Sequence, residues 1–398
     1  MVSNVASGEA DGHMRVIFVI PGFKVGGGEQ VVRLLARHMM ARHDVLVVGA
    51  FYGGQMQPLF EAERIPVVVL GTGEKVRDPL RRVLRFVRTI SDLRRVFMDF
   101  RPDVIAIHIL GTLRVVVVAA CLVRIRTMVL TLHNTYRQFA ETNLAGKLHR
   151  LEMRVLLRRM KCVIAVSEEV RDWAVNHRVI SPDRVVVVRN GIDLRALQVE
   201  QSREALRERL GVPLDRIVFA HVAAMVPKKG HKNLLEAIAL MPAAARERAL
   251  FLLVGDGPER PHLEEQVRAL GISSVVCFMG VREDVPSLLK LSDVFVLASL
   301  YEGLSMALME AMAAGLPVVS TRTTGSTLLI EEGSNGVMMA CGDPAAMAEK
   351  LAWCVTHRER LPLMGASARE TVAQGFSAER MARDTEEVLF RLSAGRKS

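Results

Sequence analysis

The sequence contains few aromatic residues, few cysteines and no uninterrupted apolar stretch of membrane-spanning length. Aromatic residues make up 5% of the 398 positions, which argues against a single-strand nucleic-acid binder, because such proteins stack bases on aromatic side chains. The five cysteines form no closely spaced pair, so we expect reduced core thiols rather than disulfides or a metal site. The most apolar stretch, 115–132, is interrupted by Arg124 and Arg126 and falls short of a membrane span.

The remaining composition is that of a large globular protein. Half of the residues are hydrophobic and 24% are charged, and the length predicts two or three domains. The formal net charge is +10, which suits nucleic acid, an anionic membrane surface or phosphorylated small molecules, and the charge alone does not choose among them. The first fourteen residues lack the apolar core of a signal peptide and predict a loose tail, so we expect a cytoplasmic protein.

Short β-branched runs alternate with amphipathic helical segments along the whole chain, which predicts an α/β fold of the doubly wound type. After the tail at 1–14, the alternation runs once over 15–197 and restarts at Ile217, within a second domain at 198–376. Predicted strands lie at 15–21, 44–50, 67–70, 104–109, 127–132, 163–166, 185–189, 217–223, 250–255, 275–279, 294–298 and 317–320. Two such domains can present the carboxyl ends of their strands to a shared cleft, where we expect the ligand.

Two loops at predicted strand ends could bind an anion. Gly26, Gly27 and Gly28 stand where the first strand gives way to the first helix, and glycines there let the backbone approach a ligand. Lys228 and Lys229 follow the first strand of the second domain, where lysine can neutralise a phosphate. A tight turn without ligand and a pair of solvated lysines remain the alternatives. The glycines form neither a dinucleotide fingerprint nor a Walker loop.

The segment 301–319 is the most specific pattern. A predicted strand ends at Ala298, a short loop follows, and a helix runs to about Ala314, ended by Gly315. Glu302 lies in the loop and Glu310 about one and a half turns into the helix, so both carboxylates can face one ligand over the helix amino terminus. The loop N–H groups suit a phosphate and the carboxylates suit sugar hydroxyls.

Glu302–Glu310 resembles the E-x7-E motif of the retaining, metal-independent GT-B glycosyltransferases of group 1, and the resemblance covers Arg15 to the carboxyl terminus. Further matching landmarks, in order, are GGGE at 26–29, LHN at 132–134, VSEEV at 166–170, RNGID at 189–193, PKKGH at 227–231, LLVGDGPE at 252–259 and EAMAAGLPVV at 310–319. The resemblance implies a GT-B fold with two Rossmann-like domains facing a central cleft, an acceptor domain first and a donor domain second. It also implies that the final helix, within 377–398, crosses back to the first domain.

The resemblance assigns roles to eleven residues. The implied catalytic residues are His133, near the donor sugar, Lys229, on the donor diphosphate, and Glu302, on the sugar hydroxyls. Without the resemblance, His133 would be read as a core or capping histidine. The implied donor-binding residues are Gly27, Gly28, Lys228, Val281, Gly303, Leu304, Ser305 and Glu310, with Val281 beside the base and Glu310 on the ribose.

The implied reaction is transfer of a sugar from a nucleotide sugar to an acceptor hydroxyl, with retention at the anomeric carbon and without metal or cofactor. The expected partners are the donor, a sugar or lipid-linked acceptor in bacterial surface glycan or glycolipid synthesis, and an anionic membrane surface, with nucleic acid disfavoured. A nucleotide-sugar epimerase of related fold is the first alternative. A catalytically weak or silent membrane-binding homologue, or a silent nucleic-acid-binding module, is the second.

Three positions depart from the family pattern. Ala224 stands where the family places an arginine that pairs with Lys229 on the diphosphate, and Arg322 and Lys228 are nearby bases that could replace it. Ser305 replaces the proline of the loop before the helix. The segment Thr324–Leu328 lacks the glutamate of a second glycine-rich loop. These changes leave the choice of donor open.

Two stretches of the first domain account for the excess of basic charge. Residues 77–101 hold eight arginines against three aspartates, and 147–161 holds six bases against one acid. In the first stretch, Leu80, Val83, Leu84, Val87, Ile90 and Leu93 follow helical spacing and predict a basic amphipathic helix. Such a helix is either an ordinary solvated face or a surface that docks on anionic lipid.

Overall fold

The computed structural model describes residues 12–71, 73, 78–134 and 144–394, with side chains for all of these except 144–150. The chain divides into two units. The first comprises the chain up to Val188 and again from Met381, and the second comprises Arg189–Arg380. The predicted tail therefore lies outside the described residues up to position 11. Met14, assigned to that tail, is buried, and its N–H donates to Nδ1 of His43 at 3.3 Å.

The first unit is built on a seven-stranded sheet in which the described pairings are parallel and the strand order is β3-β2-β1-β4-β5-β6-β7. The inner strands are rich in valine and isoleucine and are mostly buried, because helices cover both faces of such a sheet, whereas the two edge strands are partly exposed. The strands are β1 (Arg15–Gly22), β2 (Asp44–Tyr52), β3 (Val67–Val69), β4 (Val104–His108), β5 (Met128–Leu132), β6 (Cys162–Ala165) and β7 (Val185–Val187).

Helices of the first unit follow its strands in alternation. They are α1 (Gly27–Met39), α2 (Gln57–Ala62), α3 (Pro79–Phe100), α4 (Leu113–Leu122), α5 (Leu144–Leu157) and α6 (Glu168–Asn176). The helix over Ala378–Ala394 completes the unit, where Glu386 accepts hydrogen bonds from Arg42 at 2.6 Å and interacts with Nε2 of His43 at 2.8 Å. These contacts fix the last helix on the unit formed by the start of the chain.

The second unit repeats the plan on a six-stranded sheet of order β10-β9-β8-β11-β12-β13, again with parallel pairings. Its strands are β8 (Ile217–Val222), β9 (Ala249–Val254), β10 (Val276–Gly280), β11 (Val294–Leu297), β12 (Val318–Thr321) and β13 (Gly336–Met339). Its helices are α7 (Arg203–Arg209), α8 (His231–Leu240), α9 (Ala243–Glu247), α10 (Arg260–Ala269), α11 (Val285–Leu291), α12 (Met306–Ala313), α13 (Thr324–Leu329), α14 (Pro344–Thr356) and α15 (Leu361–Gly375); α16 (Ala378–Ala394) begins here and continues into the first unit.

The predicted strands are all present, and one further strand was not predicted. β13 has four residues at the edge of the sheet and pairs only with β12, so its short run carries little local pattern. The sequence placed the domain boundaries after 197 and 376, whereas the chain divides after Val188 and Arg380. The reason is that Ile192 bonds to the backbone of Phe376 and Ala378, which ties 189–197 to the second unit.

The cysteines are free, as expected, but not all lie in the core. Cys162 and Cys354 are buried, whereas Cys121, Cys277 and Cys341 are exposed. The apolar runs around these three exposed cysteines belong to helices and strand ends, where some side chains face the core and others face solvent. Among the described residues, no helix is long and apolar enough to cross a membrane.

Candidate functional site

In the second unit, the strand order reverses between β8 and β11, and the loops that leave these two strands carry Lys229 and Glu302. Ligands of open α/β sheets bind at this point, because the two loops turn away from each other and leave a crevice. The N–H of Leu300 donates to the carbonyl oxygen of Lys228 at 2.8 Å, which joins the two loops through their backbones.

The ammonium group of Lys229 and the carboxylate of Glu302 form an ion pair, and the hydroxyl of Ser299 lies 3.3 Å from the same carboxylate. The Lys229 side chain is 17% exposed and that of Glu302 is 11% exposed. A charge pair that is so little hydrated interacts more strongly than a surface pair and is expensive to break on one side only. The structure thus brings together two of the three predicted catalytic residues.

Two glycines allow the backbones at this site to approach closely. Gly230 has a positive φ of +69°, and a Cβ there would lie 1.9 Å from the carbonyl oxygen of Ala298, at the end of β11. A Cβ on Gly325, at the start of α13, would lie 2.0 Å from the carbonyl oxygen of Gly303. Any side chain at either position would push apart the loops that hold Lys229 and Glu302.

The loop Gly303–Ser305 leads directly into α12, as predicted. Ser305 caps the helix, because its Oγ accepts a hydrogen bond from the N–H of Leu308 at 3.5 Å. The family's proline is thus replaced by a residue that is among the best helix N-caps. The side-chain amide of Asn190 donates to the carbonyl oxygen of Leu304 at 3.3 Å and holds the loop. Glu310 lies on α12, one turn beyond its first residue.

The other predicted donor-binding positions of this unit lie at strand ends as well. Val281 follows β10 and is 46% exposed. Ala224, in place of the family's arginine, is exposed in the loop after β8, and Arg322 is exposed directly after β12. In the segment Thr324–Leu328, Leu328 stands at the position of the missing glutamate, and the hydroxyl of Ser326 accepts from the N–H of Thr323 at 2.7 Å at the start of α13.

Sequence reasoning missed a pair of buried histidines close to Lys229. His221, on β8, and His231, at the start of α8, lie with ring centroids 4.6 Å apart, and Nδ1 of His221 bonds to the carbonyl oxygen of Val296 at 2.8 Å. Burial lowers the pKa of His221 to about 4 and that of His231 to about 2, with the positive charge of Lys229 adding to the effect in both. Both rings are therefore neutral, so the charge near the site belongs to the lysine and the glutamate.

The first unit has a cluster of its own at its strand-order reversal, between β1 and β4. Gly27 and Gly28 form the first turn of α1, which follows β1, so these two glycines belong to the helix. A Cβ on Gly28 would lie 3.1 Å from the Ile109 side chain and 3.8 Å from the ring of His133. The structure thus brings Gly28 and His133 together. No cluster of metal-ligating side chains occurs among the described residues.

The predicted basic helix is α3, and its first half is open to solvent. Leu80, Val83, Leu84 and Val87 are between 57% and 67% exposed, although they share one helical face. Leu93 and Phe97, in the second half, are buried. Arg77 and the side chains of 147–150 lie outside the described residues. The described part of the amphipathic helix therefore leaves an apolar stripe uncovered, between Arg81, Arg82, Arg85 and Arg88.

Two family models match the chain, one for each unit. The model described as glycosyltransferase family 4 matches residues 25–196, and the model described as glycosyl transferases group 1 matches residues 202–371. Together they cover most of the chain, including both clusters.

Individual proteins give the same result. The lipopolysaccharide core biosynthesis glycosyltransferase LpsE of Rhizobium meliloti (strain 1021) is 34% identical over 173 residues, which are 44% of this chain and 49% of LpsE. The UDP-Gal:alpha-D-GlcNAc-diphosphoundecaprenol alpha-1,3-galactosyltransferase of Escherichia coli is 25% identical over 302 residues, or 74% of this chain and 77% of that protein. The chain thus spans about half the length of LpsE and of several other curated relatives.

Among solved structures, Anabaena HepE in complex with UDP-glucose superimposes with a TM-score of 0.81 and 24% identity, over 95% of this chain and 99% of HepE. At this level of identity the similarity speaks for the fold. It confirms the predicted class, a GT-B fold with two Rossmann-like α/β domains.

The neutral histidines predict a specific acid sensitivity. The pKa values of His221 and His231 are far below the ordinary 6.5, so below pH 6.5 the unfolded chain binds protons that the folded chain does not. Stability should therefore fall as the pH drops from 7 to 5, by up to about 2 kcal/mol for each histidine. Urea unfolding followed by the fluorescence of Trp353, in a Trp173→Phe background, reports on the second unit.

The His231→Leu substitution should reduce the pH dependence of the free energy of unfolding by about the contribution of one histidine. The substitution removes no hydrogen bond, because neither ring nitrogen of His231 has a partner among the described residues. His262→Gln, at an exposed position of the same unit, is the matched control and should keep the full dependence. Equal slopes for His231→Leu and the unsubstituted protein would show that His231 is protonated in the folded state.

Proposed function

Since the chain belongs to the glycosyltransferases of the group 1 and family 4 type, we propose that it transfers a sugar from a nucleotide-sugar donor to an acceptor hydroxyl with retention of the anomeric configuration. The observation that carries the proposal is the Lys229–Glu302 ion pair beside the capped amino end of α12. This ion pair places a cation that can bind a diphosphate next to a carboxylate that can bind sugar hydroxyls.

In this proposal the donor exchanges partners with the ion pair. The diphosphate takes the ammonium of Lys229 from Glu302, and the released carboxylate accepts hydrogen bonds from the sugar hydroxyls. Each charge stays paired, so neither is left bare in a poorly hydrated site. When the glycosidic bond breaks, negative charge grows on the diphosphate, where Lys229 and the N–H groups before α12 are fixed in advance to stabilise it. His133 would stand near the sugar, and the reaction would need no metal.

We further propose that the acceptor is a sugar or lipid-linked sugar of a bacterial surface glycan or glycolipid. The support is the role of two relatives, one in lipopolysaccharide core biosynthesis and one acting on a diphosphoundecaprenol-linked sugar. UDP is a reasonable first nucleotide to test, because HepE was solved with UDP-glucose. Cytoplasmic synthesis on such an acceptor takes place beside the membrane, where the exposed stripe of α3 could contact lipid.

The enzymatic proposal is tested with the Lys229→Met and Glu302→Gln variants. A thermal-shift screen over nucleotides and nucleotide sugars first identifies the donor, which should raise the melting temperature. With that donor, Lys229→Met should lower kcat/KM by 100-fold or more, on the order of 3 kcal/mol of transition-state stabilisation. Lys232→Met, an exposed lysine nearby, is the control and should be unchanged.

The products decide between the proposed reaction and its alternatives. Transfer with the donor's anomeric configuration, read by NMR of the product, supports retention, and inversion rejects it. A changed sugar epimer without acceptor would identify an epimerase. If no donor is turned over and neither variant alters donor binding, the binding-module alternative replaces the enzyme.

Gly325 provides a second test, aimed at the loop rather than at the charges. A Cβ at this position meets the backbone of Gly303, which cannot move aside as a side chain can. Gly325→Ala should therefore displace the Gly303–Ser305 loop and weaken binding of the identified nucleoside diphosphate by at least about 10-fold, measured by calorimetry. Gly375→Ala is the matched control, because a Cβ there meets nothing within 4 Å. Equal affinities for the two variants would mean that the loop does not contact the diphosphate.

We also propose that the first half of α3 docks on an anionic bilayer. Leu80, Val83, Leu84 and Val87 lie at helical spacing, 57–67% exposed, and only arginines stand among the charged residues between 79 and 91. An apolar stripe flanked by cations inserts at the headgroup boundary of a negatively charged membrane. Neighbouring α4 and α5 add exposed apolar residues of the same unit, Val118, Leu122, Leu151 and Val155.

Co-sedimentation with liposomes tests the docking. Binding should require anionic lipid, fall with rising salt, and be lost in the Arg81→Glu, Arg82→Glu, Arg85→Glu triple variant. Leu84→Asn with Val87→Asn should weaken binding at low salt, which separates insertion from charge attraction.

The control reverses three exposed arginines of the second unit, Arg268, Arg358 and Arg369, and should bind as the unsubstituted protein does. Binding that survives reversal at 81, 82 and 85 would exclude α3 as the docking surface.

A further inference from the structure

Two histidines of the first unit, His108 buried and His133 partly buried, are joined directly. His108 is the last residue of β4, and His133 follows the neighbouring strand β5. Nδ1 of His108 lies 3.1 Å from Nε2 of His133, with the ring centroids 5.3 Å apart. His108 is 1% exposed and its ring packs at 5.7 Å from that of Phe18, on β1. The position of His108 is therefore fixed by the core of the sheet.

Both rings are neutral near pH 7. Burial lowers the pKa of His133 to about 4. Burial and the proximity of His133 together lower the pKa of His108 well below its ordinary value. Two neutral imidazoles that share a hydrogen bond must divide the roles, one nitrogen donating and the other accepting.

The backbone beside His108 is strained. Ile109 has φ +73° and ψ +122°, a conformation that a β-branched residue rarely adopts. Its side chain fills the space opposite Gly28, which also borders the ring of His133. Such strain persists only where the surrounding structure imposes it, and it concentrates at functional sites. Here the strained residue directly follows β4, beside Gly28 and His133.

We propose that His108 is a positioning residue that fixes the ring orientation and the tautomer of His133. This inference rests on the proposed function, in which His133 stands near the donor sugar. Because the bond occupies Nε2 of His133, that ring meets a substrate through Nδ1. His108 thereby decides which edge of the imidazole is offered and in which protonation form.

The geometry couples the two tautomers. If Nδ1–H of His108 donates, Nε2 of His133 is bare, and both rings carry their proton on Nδ1. If Nε2–H of His133 donates, Nδ1 of His108 is bare, and both rings carry their proton on Nε2. The two histidines must therefore be the same tautomer. In the first case His133 offers a donor to a sugar hydroxyl at Nδ1, and in the second case it offers an acceptor.

Nitrogen-15 NMR of the histidine side chains in the full-length protein tests this directly. His108→Phe keeps an aromatic ring against Phe18 but removes the nitrogen, and with His133→Ala it assigns the resonances. We expect single, matching tautomers for the two rings, and an averaged tautomer for His133 in His108→Phe. Opposite tautomers, or an unchanged His133 in His108→Phe, would overturn the proposal.

Kinetics separate positioning from mere structural support. His108→Phe should lower kcat by 10-fold or more with little change in the donor KM, and His108→Asn, which can restore a nitrogen near Nδ1, should recover most of the loss. The control is His177→Phe, a histidine of the same unit that bonds to the carbonyl oxygen of Trp173; it should keep full activity. A loss in His108→Phe that His108→Asn does not recover would contradict positioning.

The failure of the underlying function gives a different result. If His133→Ala retains full transfer activity, His133 has no role in the reaction, although the matched tautomers can still be observed. If His133→Ala is inactive but His108→Phe is fully active with a fixed His133 tautomer, only the inference about His108 fails.

Discussion

The reversal of strand order within each sheet is the constraint on which the rest of this molecule depends. In the first unit the order reverses between β1 and β4, and in the second between β8 and β11. Because all strands of a parallel sheet point the same way, loops from these two strands emerge at one edge and turn apart. Gly28, in the first turn of α1, and Ile109 follow one such pair of strands, and Lys229 and Glu302 follow the other.

The sheet edges at the two reversals differ in their electrostatics. In the second unit a poorly hydrated lysine and glutamate neutralise each other, and the nearby histidines, His221 and His231, are kept uncharged by burial. In the first unit two neutral imidazoles, His108 and His133, meet at the edge, and burial lowers the pKa of both. The charged pair suits the diphosphate of the proposed donor, whereas a neutral imidazole can donate or accept a hydrogen bond without adding charge.

Placing such groups on two loops requires the backbones of the loops to approach closely. Gly230 meets the end of β11 and Gly325 meets Gly303, and neither tolerates a Cβ. Ser305 shows how the family pattern can change without losing the geometry, since its hydroxyl supplies a hydrogen bond that starts α12 where the family has a proline. Ala224 carries no charge in place of the family's arginine, and Arg322, directly after β12, is an exposed base at the same sheet edge.

The sequence by itself determined the elements and the order of the motifs, because β-branched runs, helix caps and glycine turns act over a few residues. It located Lys229, Glu302 and the loop before α12, and it missed β13, whose four edge residues have almost no pattern. Tertiary structure alone decided the contacts between distant residues. The pairs Lys229–Glu302 and His108–His133 form because neighbouring strands bring together residues that no local rule connects. The same holds for α3: periodicity showed which residues share a face, but only packing decided that Leu80–Val87 stay uncovered.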